Sequence, residues 1–579
     1  MPELTNYKGF NMYKTNNAFC KKNTLIESAV RLALSALLVS PVLASAVGVP
    51  IAGPGDVDPD NWTQYHRTSN AWRYSPLVQI NKANVSKLRT AWIHQPGDIT
   101  AGLISTPLVK DGVMYYVAPN NNVFALDATT GSTLWHYQPK LDPVSGQSFY
   151  ASLTRSLTMA HGNIYLGTLD GRFVAINDKS GKEVWSTQLT DLKKCFGCLF
   201  SSSPIIAGDV LIGGTTGGDQ PQRGKIYGVN AITGAKMWTF DTIKDDQKSW
   251  PGDTGEVAGG GAWMPGTYDA ETDSVFIGTS NAAPDFYGDG RKGDNLYTAT
   301  LLALNPKTGT LKWHRQEIPH DTFDYDSAYE ALIVKKDGKD VIVHLNKSGF
   351  VFVMDKTNGK LENVWPLSKT YNFVKTIDPK TGELIGRKEM PVGKETLLCP
   401  YLLGTRSWNA GAYNPKTKLW YTNAMEVCQV VVPGVQETKG MGIAALYLGV
   451  DKLEAVAPPN QPAEGRLDAR DPLTGKVKWS VKYAIPGLSG VLTTGGGLVF
   501  NGEPNGFVRA YDADNGKELW KFQTGSGIRG GIISYAVAGK QYIAVPSGWG
   551  SLAPGFMASA FPEITKIKGG AAMVVFAVD

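Results

Sequence analysis

Along most of the chain, apolar positions alternate with a period of two, and helical periodicity is nearly absent. One pattern recurs: a few β-forming residues, a small or polar residue, Asp or Asn, a turn, then Gly-x-x-x-Trp. It reads "VFALDATTGSTLW" to Trp135, "FVAINDKSGKEVW" to Trp185 and "IYGVNAITGAKMW" to Trp238. It returns as "LLALNPKTGTLKW" to Trp313, "LDARDPLTGKVKW" to Trp479 and "VRAYDADNGKELW" to Trp520. A degenerate copy, "VFVMDKTNGKL", covers 351–361, and "LRTAWIHQ" around Trp92 has the form of the closing half of another. Each unit reads as a β-hairpin. Asp or Asn opens the turn by bonding its own backbone, Gly supplies positive φ, and alternate apolar residues face inward.

A single hairpin cannot bury its apolar face, so each tryptophan is expected to pack between neighbouring units. Spacings of 50 and 53 residues separate Trp135, Trp185 and Trp238, which suits one four-stranded unit per repeat. Seven copies plus the N-terminal strand predict an all-β, eight-bladed β-propeller over residues 47–579, with a longer insertion within 360–465. Two separate β-sandwiches are the alternative, which regular repetition disfavours. The loops "TTGGDQPQRG" (215–224) and "EVAGGGAWMPG" (256–266) are too glycine-rich for strand interiors and are candidates for site-building loops.

Charge changes the picture at one place. The formal net charge is +5 over 579 residues, and residues 1–46 hold five basic against two acidic side chains. That segment has positive residues, the short apolar run "LALSALLVSPVLA" and a small-residue "ASA" ending at Ala46, so it reads as a secretory signal peptide. The run is shorter than the roughly 20 residues a membrane span needs. The remaining chain is near neutral, which gives no case for nucleic acid. An exported chain meets an oxidising compartment, where the four cysteines beyond the signal can pair. Cys399 and Cys428 can bridge a long loop, and Cys195 and Cys198 form a C-F-G-C pair. Leu199 follows Cys198, and no C-x-x-C-H occurs for covalent haem attachment.

Candidate chemistry gathers in "IPHDTFDYDSAY" (318–329), where Asp321, Asp324 and Asp326 crowd beside His320. With Asp219 in "TTGGDQPQRG" and Asn281 in "GTSNAAP", these offer carboxylates and an amide carbonyl without a His–Cys cluster. Such a set suits a hard cation rather than zinc or copper. Each residue taken alone is equally well a turn former; the reading depends on their convergence.

The chain resembles the soluble pyrroloquinoline quinone (PQQ)-dependent alcohol dehydrogenases, the methanol and ethanol dehydrogenase family. The likeness runs from "WTQYHRTSNAWRYSPLVQINKANVSKLRTAW" to "ELWKFQTGSGI" and "QYIAVPSGWG", and the repeats resemble that family's tryptophan-docking motifs. The resemblance implies PQQ together with one metal ion. It places Trp263 of "AWMPGTYD" against a face of PQQ and Lys347 of "HLNKSG" near the quinone oxygens. Ser201 of "SSSP" and Asn409 of "SWNAG" fall at further cofactor contacts. Asp219, where relatives usually have Glu, and Asn281 fall at metal ligands, and Asp324 falls at the catalytic base. A Cys399–Cys428 disulfide is likewise implied. Asp326 extends the set: its D-Y-D resembles lanthanide-type relatives, and an added carboxylate favours a trivalent ion over calcium. His320 and Asp321 are left as framework.

Departures from the family pattern also carry information. Adjacent cysteines that lie against PQQ in relatives are missing, with Arg155 and Ser156 of "SLTRSLTMAHG" read at that place. His161 is read where relatives have an arginine near the cofactor. Cys195 and Cys198 are either a local staple near Ser201 or a replacement for the missing cysteine ring. "AIPGLSGVLTT" lacks the tryptophan that narrows the methanol pocket, implying an alcohol larger than methanol. The resemblance further implies a periplasmic enzyme that passes electrons to a soluble cytochrome c or another acceptor, with a homodimer compatible. The competing function is a non-catalytic propeller scaffold of the cell envelope, which has no reason to keep the site residues together.

Overall fold

The computed structural model describes residues 58–579 except Thr100 and Ser551. The expected signal peptide lies outside the described residues. The described chain is almost entirely β, and its one α-helix is the five-residue Ala553–Met557. Among the described residues, no helix is long and apolar enough to cross a membrane.

Among the described residues, eight sheets of four or more strands follow one another, seven with four strands and one with five. The first comprises Leu108–Lys110, Val113–Ala118, Asn122–Asp127 and Thr133–Tyr137, joined as an antiparallel meander. Its inner strands are fully buried and its last strand is mostly exposed, so each sheet has a buried side and a wet outer edge. In the last sheet, Arg89–His94 from the start of the described chain pairs antiparallel with Ala572–Ala577 from its end. The two ends of the sequence thus complete one sheet, as the lone strand around Trp92 required. The expected insertion falls after Pro366. It consists of the hairpin Thr376–Ile377 with Leu384–Ile385 and a three-stranded sheet of Thr396–Leu398, Cys428–Pro433 and Val450–Val456. Cys399 and Cys428 are bonded to each other at its root.

The repeat acts as its chemistry dictates. Asp127 Oδ1 accepts hydrogen bonds from the backbone N–H groups of Thr129 and Thr130, and Asn305 Oδ1 does the same for Lys307 and Thr308. The glycine that closes each turn lies flat on the tryptophan of the preceding sheet. A Cβ on Gly131 would come within 2.5 Å of Trp92, and one on Gly181 within 2.7 Å of Trp135. The same contact joins Gly234 to Trp185, Gly309 to Trp238, Gly359 to Trp313, Gly475 to Trp365 and Gly516 to Trp479. Six of these seven indole N–H groups donate to a backbone carbonyl as well, Trp135 to Asp178 O at 3.0 Å and Trp185 to Ala231 O at 3.1 Å among them. Gly181 also has a φ of +67°. A Gly181→Ala substitution therefore combines backbone strain with a clash against an immobile ring, and is expected to destabilise the chain by roughly 2–4 kcal/mol. Thermal unfolding beside a control Gly208→Ala, which has the same backbone need but no atom within 4 Å of its Cβ, isolates the tryptophan contact.

Candidate active site

The loops that leave these sheets line a cavity of about 130 Å³. Its polar floor is supplied by segments far apart in sequence. Gly217–Asp219 follows the strand Val210–Gly214, and Asn281 follows Ser274–Gly278. Asp324 and Asp326 precede Ala331–Lys336, while Lys347 occupies the turn between Lys339–Leu345 and Phe350–Asp355.

The Asp324 loop is held from behind. Asp321 accepts hydrogen bonds from Phe323 N (3.0 Å) and Tyr325 N (2.9 Å), and Tyr325 Oη donates to Pro400 O at 2.7 Å. Asn346 Nδ2 donates to Tyr325 O at 2.9 Å. His320 Nδ1 lies 2.9 Å from Gly293 O. His320 and Asp321 are therefore scaffold, and burial pushes the Asp321 carboxyl up to about 6. Asp324 has a φ of +61°, a conformation rare for residues other than glycine, and the bonds around it hold it there.

Lys347 Nζ lies 2.7 Å from Asp324 Oδ1 and 2.8 Å from Asp326 Oδ2. Asp326 uses its other oxygen to accept the backbone N–H of Asn281 at 2.8 Å. Asp219 accepts the Tyr150 hydroxyl at 2.5 Å. Ligand atoms of Asp219, Asp285 and Asp324 lie within 4.8 Å of one another. Asn281 Nδ2 donates to Asp285 Oδ1 at 2.7 Å, while Asn281 Oδ1 and Asp285 Oδ2 are buried with no hydrogen-bond partner.

The electrostatics reflect this crowding. Burial, with the neighbouring Asp219 and Asp326, drives the Asp324 carboxyl well above the usual carboxylate range despite Lys347. Burial and the Asp219 and Asp324 charges do the same to Asp285, and burial raises Asp219. Burial alone would pull Lys347 down, but Asp324, Asp326 and Asp219 together hold it well above its ordinary value. A cation at this spot would reverse the carboxylate shifts, because it favours the charged form of every oxygen facing it.

The rest of the lining includes aromatic and cationic side chains. Arg155 donates to Ser201 Oγ, and its guanidinium carbon lies 5.0 Å from the ring centres of both Trp263 and Trp408. Asn409 Nδ2 donates to Arg529 O at 2.7 Å, and its carbonyl oxygen is unpartnered. Burial lowers Arg155 to about 10 and, with Arg155 beside it, lowers Arg529 to about 9, so both remain cations at neutral pH. Nε of each is buried without a partner. Flat aromatic surface and paired cations in one cavity suit a planar, polyanionic ligand.

Of the residues singled out in the sequence, Trp263, Lys347, Ser201, Arg155, Asp219, Asp324 and Asp326 line this cavity. Asn281 and Asn409 sit directly behind it through the bonds just given. His161 does not reach it. It lies in the turn after Thr158–Ala160, with Nε2 3.2 Å from Gly208 O and 3.3 Å from Asp209. The turn points its ring at the neighbouring hairpin instead of the cavity, and Arg155 is the basic residue that faces the lining. Cys195 and Cys198 are bonded to each other, and Gly197 between them accepts the Thr216 hydroxyl at 2.5 Å. This link stands behind the cavity wall, where it braces the loop leading to Asp219.

Several residues escaped the sequence reading. Asp285 follows Asn281 in "SNAAPDF" and has no motif of its own. Tyr150 and Arg529 lie in segments whose only signal was length of likeness, with Arg529 just past the quoted "ELWKFQTGSGI", and Trp408 stands unremarked beside Asn409 in "SWNAG".

The chain matches the family described as "PQQ: Glucose/ethanol/alcohol dehydrogenase, beta-propeller domain" over residues 62–383 and 456–543. It therefore belongs to the PQQ-dependent alcohol dehydrogenase family and is an oxidoreductase of that kind. It is 35% identical to the quinoprotein alcohol dehydrogenase PedH of Pseudomonas putida, covering 91% of this chain and 92% of that protein. It is 34% identical to the quinoprotein ethanol dehydrogenase of Pseudomonas aeruginosa, covering 85% and 86%. Among solved structures, a europium-containing methanol dehydrogenase superposes with a TM-score of 0.83 at 28% identity, covering 90% of this chain and 98% of that one.

Proposed function

We propose that the chain oxidises an alcohol larger than methanol in the periplasm, using PQQ held over one hard metal ion, and passes the electrons to a soluble cytochrome c. The supporting observation is the convergence of Asp219, Asn281, Asp324, Lys347 and Trp263 on one cavity from loops up to 128 residues apart, between Asp219 and Lys347. The eight successive sheets, closed by the Arg89–His94 strand and joined by Trp–Gly contacts, are read as eight blades of a propeller.

The residues present fit both groups. The unpartnered oxygens of Asn281 and Asp285 stand beside Asp219 and Asp324, ready for a cation. Trp263, Arg155, Ser201 and Arg529 would hold a flat polyanion. When bound, PQQ would supply hydride acceptance and the cation Lewis acidity. Asp324 takes the hydroxyl proton of the alcohol as general base. Lys347, 2.7 Å from that carboxylate, keeps it oriented and favours negative charge developing nearby. Tyr150 fixes the orientation of Asp219 through its hydroxyl.

Apolar side chains of Phe149, Leu402, Leu448, Leu453, Leu552 and Phe556 form part of the cavity lining and offer surface to a longer alcohol chain. Each methylene that packs against this surface is worth about 0.8 kcal/mol, or a roughly four-fold gain in kcat/KM. Reconstituting the full chain with PQQ and either a lanthanide or calcium, then following dye reduction across straight-chain alcohols, is expected to show that rise from methanol upward. Absence of turnover with every metal would sink the enzymatic reading. A kcat/KM that falls with chain length would sink the substrate reading alone.

A further inference from the structure

Two carboxylates are candidates to supplement Asp219, Asn281 and Asp324 at the cation, and the structure treats them differently. Asp326, the residue the D-Y-D pattern brings forward, has both oxygens engaged. One accepts Asn281 N–H at 2.8 Å and the other faces Lys347 Nζ at 2.8 Å. Asp285 is fully buried, with one oxygen on Asn281 Nδ2 and the other without any partner. A buried, unpartnered carboxylate oxygen is costly unless something positive meets it.

Geometry gives this carboxylate a destination. Oxygens bound to one hard cation at 2.3–2.6 Å cannot lie much more than about 5 Å apart. One carboxylate oxygen from each of Asp219, Asp285 and Asp324 meets that limit, all within 4.8 Å of one another. An observation outside the carboxylates points the same way. Asn281 Oδ1 is fully buried and unpartnered, and its amide is turned by the Asp285 bond so that nitrogen faces Asp285. Gly218, next to Asp219, leaves space beside that oxygen, since a Cβ there would come within 2.4 Å of it.

We infer that Asp285 is a metal ligand of this site and the residue that adapts it to a highly charged ion, with Asp326 serving to hold Lys347 and the Asn281 backbone. This rests on the proposed placement of the cation at the Asp219–Asn281–Asp324 floor. Asp285 does two jobs: its free oxygen coordinates, and its bonded oxygen turns the Asn281 carbonyl toward the ion.

The test is cation binding to the PQQ-loaded full chain after removal of its ion, with terbium chloride and calcium chloride as probes. Terbium is read by luminescence and calcium by calorimetry. Coulomb attraction scales with the product of charges, so losing one carboxylate weakens a trivalent ion by the 3/2 power of its effect on a divalent one. Asp285→Asn is expected to weaken calcium about 20-fold and terbium about 100-fold. Equal affinities in wild type and variant would overturn the inference, while a wild type that binds neither ion would overturn the cation site itself. Crystals of the wild-type protein with terbium remove any dependence on the variant's folding. An anomalous peak with an Asp285 oxygen within about 2.6 Å supports the assignment, and a peak that Asp285 does not reach overturns it.

Discussion

Replacing Asp324 by asparagine is expected to lower kcat by at least about 10³-fold while PQQ stays bound, because it removes the one group placed to take the alcohol proton. The carboxylate lies inside the cavity, 4% exposed, and faces Lys347 at 2.7 Å. Asparagine keeps the size and one carbonyl oxygen, and it tolerates positive φ better than most residues, so the +61° backbone is preserved. What is lost is basicity, together with one negative charge at the cation floor. Asparagine keeps a ligand oxygen that alanine would remove, and turnover measured at saturating cation separates proton transfer from metal binding. PQQ occupancy is measured from the absorbance of the purified variant, and turnover by dye reduction with the best alcohol. A variant that keeps a tenth or more of wild-type turnover with PQQ fully bound would show that the proton leaves by another route.

The two largest structural features were legible in the sequence for a physical reason. A hairpin turn that needs Asp or Asn for its backbone bonds, Gly for its φ and Trp for its neighbour leaves three fixed letters in each repeat. Gly181 and Trp135 announce their contact without any knowledge of the fold, because only glycine lets a backbone lie on an indole ring. Asp324 and Lys347 were visible for a different reason: each sits in a short stretch of unusual composition that resembles a known family. Asp285 had neither advantage. Its role depends on which way the Asn281 amide turns and on an unpartnered oxygen, and both are properties of three-dimensional packing. His161 shows the reverse failure. Likeness to relatives places both His161 and Arg155, six positions earlier, at the cofactor, and of the two only Arg155 lines the cavity. In a β-hairpin a few residues of slip moves a side chain from the site to an outer turn, so matched spacing within a loop is weaker than matched chemistry.

Arg73→Met is expected to cost roughly 3–5 kcal/mol of stability, because one buried guanidinium satisfies three backbone carbonyls that no other group reaches to replace. Arg73 is fully buried and donates from Nε to Val491 O at 2.9 Å, from Nη1 to Tyr65 O at 2.8 Å and from Nη2 to Ile532 O at 2.8 Å. Those carbonyls immediately precede the strands Leu492–Thr494 and Ile533–Val537 or belong to the N-terminal segment. The neighbouring strand Tyr74–Ser75 pairs in parallel with Leu492–Thr494. Arg73 thus ties the beginning of the described chain to the last two large sheets, at the place where the sequence ends must meet. Burial lowers its pKa only to about 10, so it stays charged at neutral pH, and the Trp62 and Tyr65 rings lie 5.5 and 5.8 Å away. Methionine fills much of the volume but leaves three carbonyls dry, each a penalty of about 1–3 kcal/mol before local relaxation. Because a chain of this size is prone to irreversible unfolding, the half-life at a fixed elevated temperature is the sounder measurement beside the calorimetric midpoint. A variant whose half-life matches wild type would mean that water reaches those carbonyls and that the ring closes without them.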